Sequence, residues 1–302
     1  VGMVRDALVA AAAAGRHPDA VFWSLPVVGE TYDGGLNDIN GFHVRPEHVD
    51  AALAAAAGGP VAEGNVGGGT GMICHEFKGG IGTASRVVDA EHGGWTVGAL
   101  VQANYGSREL LRIDGVPVGE AIPKTEVPSC WDEVEQRERA ALGEVEGGEG
   151  VVGGEPRTVP AGGGSARTGP GGGSIIVILA TDAPLLPHQC ERLAQRASLG
   201  LARMGSIASH GSGDLFLAFA TGNRGLSRSA GERDPRLTVE ARMVVDRVIT
   251  PLFQAAVEAT EAAIVNALLA ATTMTGRDGI TAHALPHDRL LEVMARFGRG
   301  PG

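Results

Sequence analysis

A chain of 302 residues with 43% hydrophobic content is long enough to bury one large core, as a single domain or as two interleaved halves. Its formal charge of -10 argues against a nucleic-acid partner and suits amines or cationic substrates better. No stretch offers the roughly eighteen uninterrupted apolar residues of a membrane span, so no membrane partner is expected.

Aromatic residues make up 4% of the chain while glycines number 47, which predicts a core of Ala, Val, Leu and Ile and loops in which backbones approach closely. The three cysteines, Cys74, Cys130 and Cys190, are odd in number and show no CxxC spacing. They read as free, packing thiols in a reducing compartment, and a cytoplasmic location is expected. The opening residues form an Ala-rich amphipathic pattern and not a basic leader with an apolar centre.

In chain order, residues 4–14 have high helix propensity and end at Gly15, and residues 20–25 read as a short strand. The Gly- and Asp-rich stretch 26–38 follows as a loop. Glu30 and Tyr32 stand two residues apart in it, so on an extended backbone they project from one side. They serve either solubility or, as a carboxylate and a phenol, a common pocket. Residues 46–57 predict a helix opened by Pro46. The run Glu63–Gly71 lacks GxGxxG spacing and predicts a tight turn against another strand, not a dinucleotide loop. Residues 81–89, 95–103 and 109–118 predict a strand meander with Asp114–Gly115 as its hairpin turn. Asn104, closing the middle strand, either caps a turn or offers its amide to a developing oxyanion.

From 141 to 173 the composition collapses to low complexity, with 13 glycines in 33 residues, and predicts a mobile linker. It divides an N-terminal segment, 1–173, from a C-terminal segment, 174–302, both expected within one intertwined domain. Immediately after it stands Ser174, and the apolar run Ile175–Ala180 begins at the next residue. A serine held at the mouth of a buried strand and preceded by Gly173 is what self-cleavage to an N-terminal nucleophile requires. A strand that merely leaves a Gly/Ser linker fits the same residues. Ser165, the other candidate, has no strand to hold it rigid. Residues 187–204 then predict a helix, 206–214 a second glycine-flanked turn feeding the strand 215–220, 238–273 two helices broken near Thr250–Pro251, and 286–297 a last helix. Strands followed by helices in each half suggest an α+β protein with sheets central and helices outside.

The segments VVGETYDGGLND, EGNVGGGTGM, FKGGIGTASR, VQANYGSRELLRIDGVPVG, GGGSIIVILATDAPLLPHQ and HGSGDLFLAF, in this order, closely resemble the DmpA-like aminopeptidases. The resemblance implies an αββα four-layer sandwich like that of Ntn-hydrolases but differently connected. It implies autocleavage between Gly173 and Ser174 and a homotetramer of processed pairs acting on small peptides, amides or esters with a free amine. Carried over by position, the nucleophile falls on Ser174, its partners on Ser212 and Asp214, the oxyanion donors on Tyr32 and Asn104, and the amine-binding carboxylate on Glu30. No cofactor or metal is expected, and His210 beside the HGSGD turn reads as a loop residue. An ornithine-acetyltransferase-type acyltransferase shares the architecture but uses threonine as nucleophile, and a non-catalytic member of the fold is the other alternative. Family members carry an additional N-terminal segment with no counterpart before Val1, so this chain is expected to be N-terminally truncated.

Overall fold

The computed structural model describes residues 2–13, 25–141, 173–226 and 236–300, and shows an α+β architecture. The first half contributes α1 (Gly2–Ala13), α2 (Pro46–Ala54), the two-residue strands β1 (Ile73–Cys74) and β2 (Phe77–Lys78), then β3 (Gly80–Val87) and β4 (Thr96–Asn104), and the helices α3 (Val118–Ala121) and α4 (Cys130–Ala141). The second half opens with β5 (Ser174–Thr181), followed by α5 (Pro187–Gln195), α6 (Ala197–Arg203), β6 (Leu215–Ala220), the long helix α7 (Thr250–Ala270), the pair β7 (Met274–Thr275) and β8 (Thr281–Ala282), and α8 (His287–Arg296).

One four-stranded sheet organises these elements in the order β3-β4-β5-β6, with β3, β4 and β5 antiparallel and β6 parallel to β5. Strand alternation decides which face is covered. Val97, Val101, Ile175, Val177 and Leu179 point to one face and are wholly buried, each worth about 1.5–3 kcal/mol of transfer free energy. The opposite face carries Leu215, Leu217 and Phe219, each about half exposed.

The helix α7 supplies the cover. Eleven of its residues are buried, among them Leu252, Ala256, Ala263, Ile264 and Ala267. It is long and apolar enough to cross a membrane by length and composition, yet here it packs as a core helix against β3 and β4. Its backbone reaches the sheet at Gly82, where a Cβ would stand 1.9 Å from the Ala263 carbonyl oxygen. Only glycine allows that approach.

The strands expected over 81–89, 95–103 and 174–180 are present, and the turn at 63–71 lies against β3 through an isolated Gly64–Ile81 bridge. Three expectations are corrected. Residues 109–118 are not a strand: β4 is flanked by β5, and the segment folds back on itself through a single Ile113–Val116 bridge around Asp114 and Gly115, both at positive φ. Its apolar residues Leu111, Ile113, Val116 and Val118 are all buried, so the apolar pattern came from a compact loop pressed into the core. The helix expected over 187–204 is two helices meeting at Arg196. Within 238–273 only Thr250–Ala270 is α-helical, because the preceding backbone is spent elsewhere: Gln189 Nε2 donates to the Val244 carbonyl and Asn223 bonds both the N–H and the carbonyl of Arg242. Pro251 lies in the first turn of α7, as a residue lacking an N–H prefers. The strand expected at 20–25, apart from Leu25, and nearly all of the 141–173 linker with Ser165 lie outside the described residues.

Candidate active site

Sheet register brings three separate stretches of sequence to one edge. Asn104, the last residue of β4, pairs with Ser174, the first of β5, because those strands are antiparallel. The strands β5 and β6 are parallel with Ile176 beside Leu215, so the turn Ser212–Gly213–Asp214 arrives next to Ser174 and Ile175. Ser174 and Asn104 share the strand face opposite α7.

The hydrogen bonds follow from that register. The Gly213 N–H donates to Ser174 Oγ at 3.0 Å. A Cβ on Gly213 would stand 3.1 Å from the same oxygen, a tight contact that glycine avoids. Asp214 Oδ1 accepts twice, from Ser212 Oγ at 2.6 Å and from the Ile175 N–H at 3.2 Å. The carboxylate is thereby fixed beside the backbone nitrogen that follows Ser174. Gly173 has φ +123°, and a Cβ there would meet the Asn104 carbonyl oxygen at 2.3 Å. The peptide entering Ser174 is thus held in a conformation and a contact that only glycine accepts.

Asn104 is 3% exposed. Its Oδ1 accepts from the Ile73 N–H at 2.8 Å, and Nδ2 donates to the Tyr32 carbonyl at 2.9 Å, leaving the amide's second N–H without a partner among the described residues. This draws the 29–33 segment over the open face of the sheet. There a Cβ on Gly29 would stand 3.1 Å from Ile176 Cδ1 and 3.5 Å from Leu215 Cδ1, and Gln102 Nε2 donates to Thr31 Oγ1 at 2.8 Å. The Tyr32 ring folds back on Gly34, where a Cβ would meet its hydroxyl at 2.4 Å. Glu30 is exposed and makes no ion pair or hydrogen bond among the described residues. Ser174, Ser212, Asp214 and Asn104 are therefore assembled, Tyr32 joins them through its backbone, and Glu30 stands two residues before Tyr32 on the same segment.

Sequence reasoning missed the buried polar support beneath this edge. Lys78 Nζ donates to the carbonyls of Gly69, Met72 and Gly79 at 2.7–3.1 Å, and its burial pulls the ammonium down to about 8. Three carbonyl partners are what a desolvated ammonium needs, and they brace the turn that presents the Ile73 N–H to Asn104. Beyond Asn104, Arg108 is 2% exposed, stacks its guanidinium 3.4 Å above the Phe77 ring and donates to the carbonyls of His75, Glu76, Ile122 and Val127. Glu76 pairs with Lys124 at 2.6 Å. Burial pulls His75 down to about 4, so the imidazole is neutral near pH 7 and Nδ1–H faces the Ser107 carbonyl at 3.0 Å. Burial also pushes the Cys74 and Cys130 thiols up to about 12, which suits the packing role expected of them. The one sequence sign of this support was a Lys, an Arg and a His within apolar surroundings, a pattern that a surface turn produces equally well.

Asp89, Glu91 and His92 also approach one another, at the β3–β4 connection at the far end of the sheet from Ser174. They lie at the surface and have no part in this edge.

The model of peptidase family S58 matches residues 1–282. The chain is 47% identical over 299 residues to the beta-peptidyl aminopeptidase BapA of Sphingosinicella microcystinivorans, a match covering 99% of this chain and 67% of that protein. Among solved structures, a Burkholderia sp. beta-aminopeptidase superposes with a TM-score of 0.80 at 51% identity, covering all of this chain and 72% of the other. The L-aminopeptidase D-Ala-esterase/amidase of Ochrobactrum anthropi, described as a prototype for the serine aminopeptidases and a variant of the Ntn hydrolase fold, gives a TM-score of 0.75 at 40% identity, with 100% and 72% covered. The chain spans about two thirds of the length of the curated relatives it matches.

Proposed function

The chain belongs to peptidase family S58, and from that premise we propose that it is a self-processing serine aminopeptidase whose Gly173–Ser174 bond is cut by Ser174 itself. The observation that carries the reading is the Ser174 hydroxyl, held at 3.0 Å by the Gly213 N–H on a strand mouth whose entering peptide only glycine can supply.

In the precursor, Ser174 Oγ adds to the Gly173 carbonyl carbon, the C–N bond breaks as nitrogen takes up the proton, and the acyl group is left as an ester on Oγ. Water then hydrolyses the ester, giving a carboxylate on Gly173 and restoring the hydroxyl. The freed α-amine has an ordinary pKa of about 7.7–8.0, so near neutral pH a useful fraction is free base and can accept the Oγ proton when a substrate carbonyl is attacked. Asp214, already bonded to the Ile175 N–H, stabilises that amine once protonated, while Ser212 fixes the carboxylate's direction. The unpaired N–H of Asn104 and the Tyr32 hydroxyl, once swung off Gly34, donate to the tetrahedral oxyanion. Loss of one such donor typically costs about 3–4 kcal/mol. Glu30 receives the substrate's ammonium, which accounts for a preference for free N-termini.

The substrate class is a small peptide, amide or ester with a free amine, and the processed pairs assemble as a homotetramer. The three unpaired cysteines favour the cytoplasm. Ser174→Ala tests the reading: the variant is expected to stay as one band on a denaturing gel and to hydrolyse no aminoacyl p-nitroanilide. An alanine variant that splits or turns over would overturn it.

A further inference from the structure

The residues that carry Glu30 and Tyr32 are not held alike. The Tyr32 backbone is tied to Asn104 at 2.9 Å, whereas Glu30 makes no polar contact among the described residues, and Gly29 faces the apolar side chains of Ile176 and Leu215. Between them stands Thr31, whose hydroxyl is engaged twice: Oγ1 accepts from Gln102 Nε2 at 2.8 Å and donates to Met72 Sδ. The Gln102 amide oxygen lies toward Gly68, where a Cβ would come within 2.0 Å of it, so the glycine leaves room for the amide that holds Thr31. Met72 is fixed, since its carbonyl accepts from Lys78 Nζ and from the Gly79 N–H. Gln102 belongs to β4, two residues before Asn104 and on the same strand face.

We infer that Thr31 and Gln102 are positioning residues for amine recognition: their hydrogen bond clasps the Glu30 segment to β4 and sets the distance from the Glu30 carboxylate to Ser174. This rests on the reading of Ser174 as nucleophile and of Glu30 as the ammonium receptor. A hydroxyl that accepts from one neighbour and donates to another is held in one orientation. Removing it frees the last polar tie before Glu30 while leaving the ties of Tyr32, Asn104 and Ser174 in place. The consequence is selective. Binding through Glu30 weakens, the chemical step is spared, and self-cleavage, which needs no ammonium, goes on.

The test compares Thr31→Val, Thr31→Ser and Gln102→Leu with the wild-type full chain on an aminoacyl p-nitroanilide and on its N-acetylated counterpart. For Thr31→Val and Gln102→Leu the expected result is a KM for the free-amine substrate raised at least tenfold, with kcat within threefold of wild type. The preference for free over acetylated substrate should fall at least tenfold, and gel fragments should be those of the wild type. Thr31→Ser, which keeps the hydroxyl, should restore KM to within threefold, and the double variant should be no worse than either single one. If Thr31→Val does not fold, Gln102→Leu gives the same readout from the strand side. An active wild type whose variants keep its KM and its preference, or lose kcat alone, overturns the clasp and leaves the proposed function standing. A wild-type chain that neither splits nor hydrolyses overturns both.

Discussion

Replacing Gly173 with alanine puts a methyl group where the strand mouth has no room. The new Cβ would stand 2.3 Å from the Asn104 carbonyl oxygen and 3.2 Å from Tyr105 Cα. Carbon and carbonyl oxygen approach no closer than about 3.3 Å in the tight contacts between strands, so the entering peptide must move by roughly 1 Å. The backbone angle works in the same direction, because a φ of +123° lies in territory that side chains avoid. Forcing a non-glycine residue there costs on the order of 1–3 kcal/mol. A misplacement of about 1 Å at a reacting carbonyl typically slows the step about a hundredfold. Gly173→Ala is therefore expected to lengthen the half-time of self-cleavage by about two orders of magnitude while the precursor still folds, with Tm lower by roughly 2–10 °C. The assay is a time course of newly translated chain on a denaturing gel, with intact mass at the end points. Processing at the wild-type rate would refute the argument that the glycine is there for the bond's geometry.

Two further outcomes follow from the charges. Asp214→Asn removes the anion beside the freed amine, so that amine titrates lower and the acid limb of the rate profile should move to lower pH, with reduced kcat because the protonated base has lost its partner; an unmoved limb, measured on processed enzyme, would separate Asp214 from the base. His75 is neutral in the fold down to about pH 4, whereas the unfolded chain takes up its proton near 6.5. The unfolded state thus binds the extra proton across that window and stability falls as pH falls from 6.5 to 4, by up to about 3 kcal/mol. His75→Asn, a residue that tolerates the positive φ of 48° found there, should flatten Tm against pH in that interval; an unchanged slope would exclude His75 as its source.

The strand ends that carry the candidate site were more legible in the sequence than the path of the chain around them. Strand β5 could be read because a continuous apolar run begins abruptly after a glycine-rich stretch, and β3 and β4 because short apolar runs lie between glycine-rich turns. The 109–118 segment misled because burial in a compact loop produces the same run of apolar residues as a strand, and only its single bridge around Asp114–Gly115 distinguishes the two. The stretch before Thr250 misled in the other direction: its composition permits a helix, but Gln189 and Asn223 capture its backbone first. At the site, Asn104 and the glycine-flanked turn 206–214 stood out from their sequence surroundings, since both stand next to strand ends, while the roles of Ser212 and Asp214 came from the family resemblance. The buried ammonium of Lys78, the Gly213 amide and the Thr31–Gln102 bond depend on register between segments far apart in sequence, and no local pattern carries that information.

The account's central claim is that the polypeptide opens its own backbone before Ser174. Mass measurement and N-terminal sequencing of the purified wild-type chain test it most directly. Two associated polypeptides are predicted, the C-terminal one beginning Ser-Ile-Ile-Val-Ile-Leu and the other ending at Gly173. A single polypeptide with the 173–174 amide intact, in a preparation that still hydrolyses aminoacyl substrates, would contradict it.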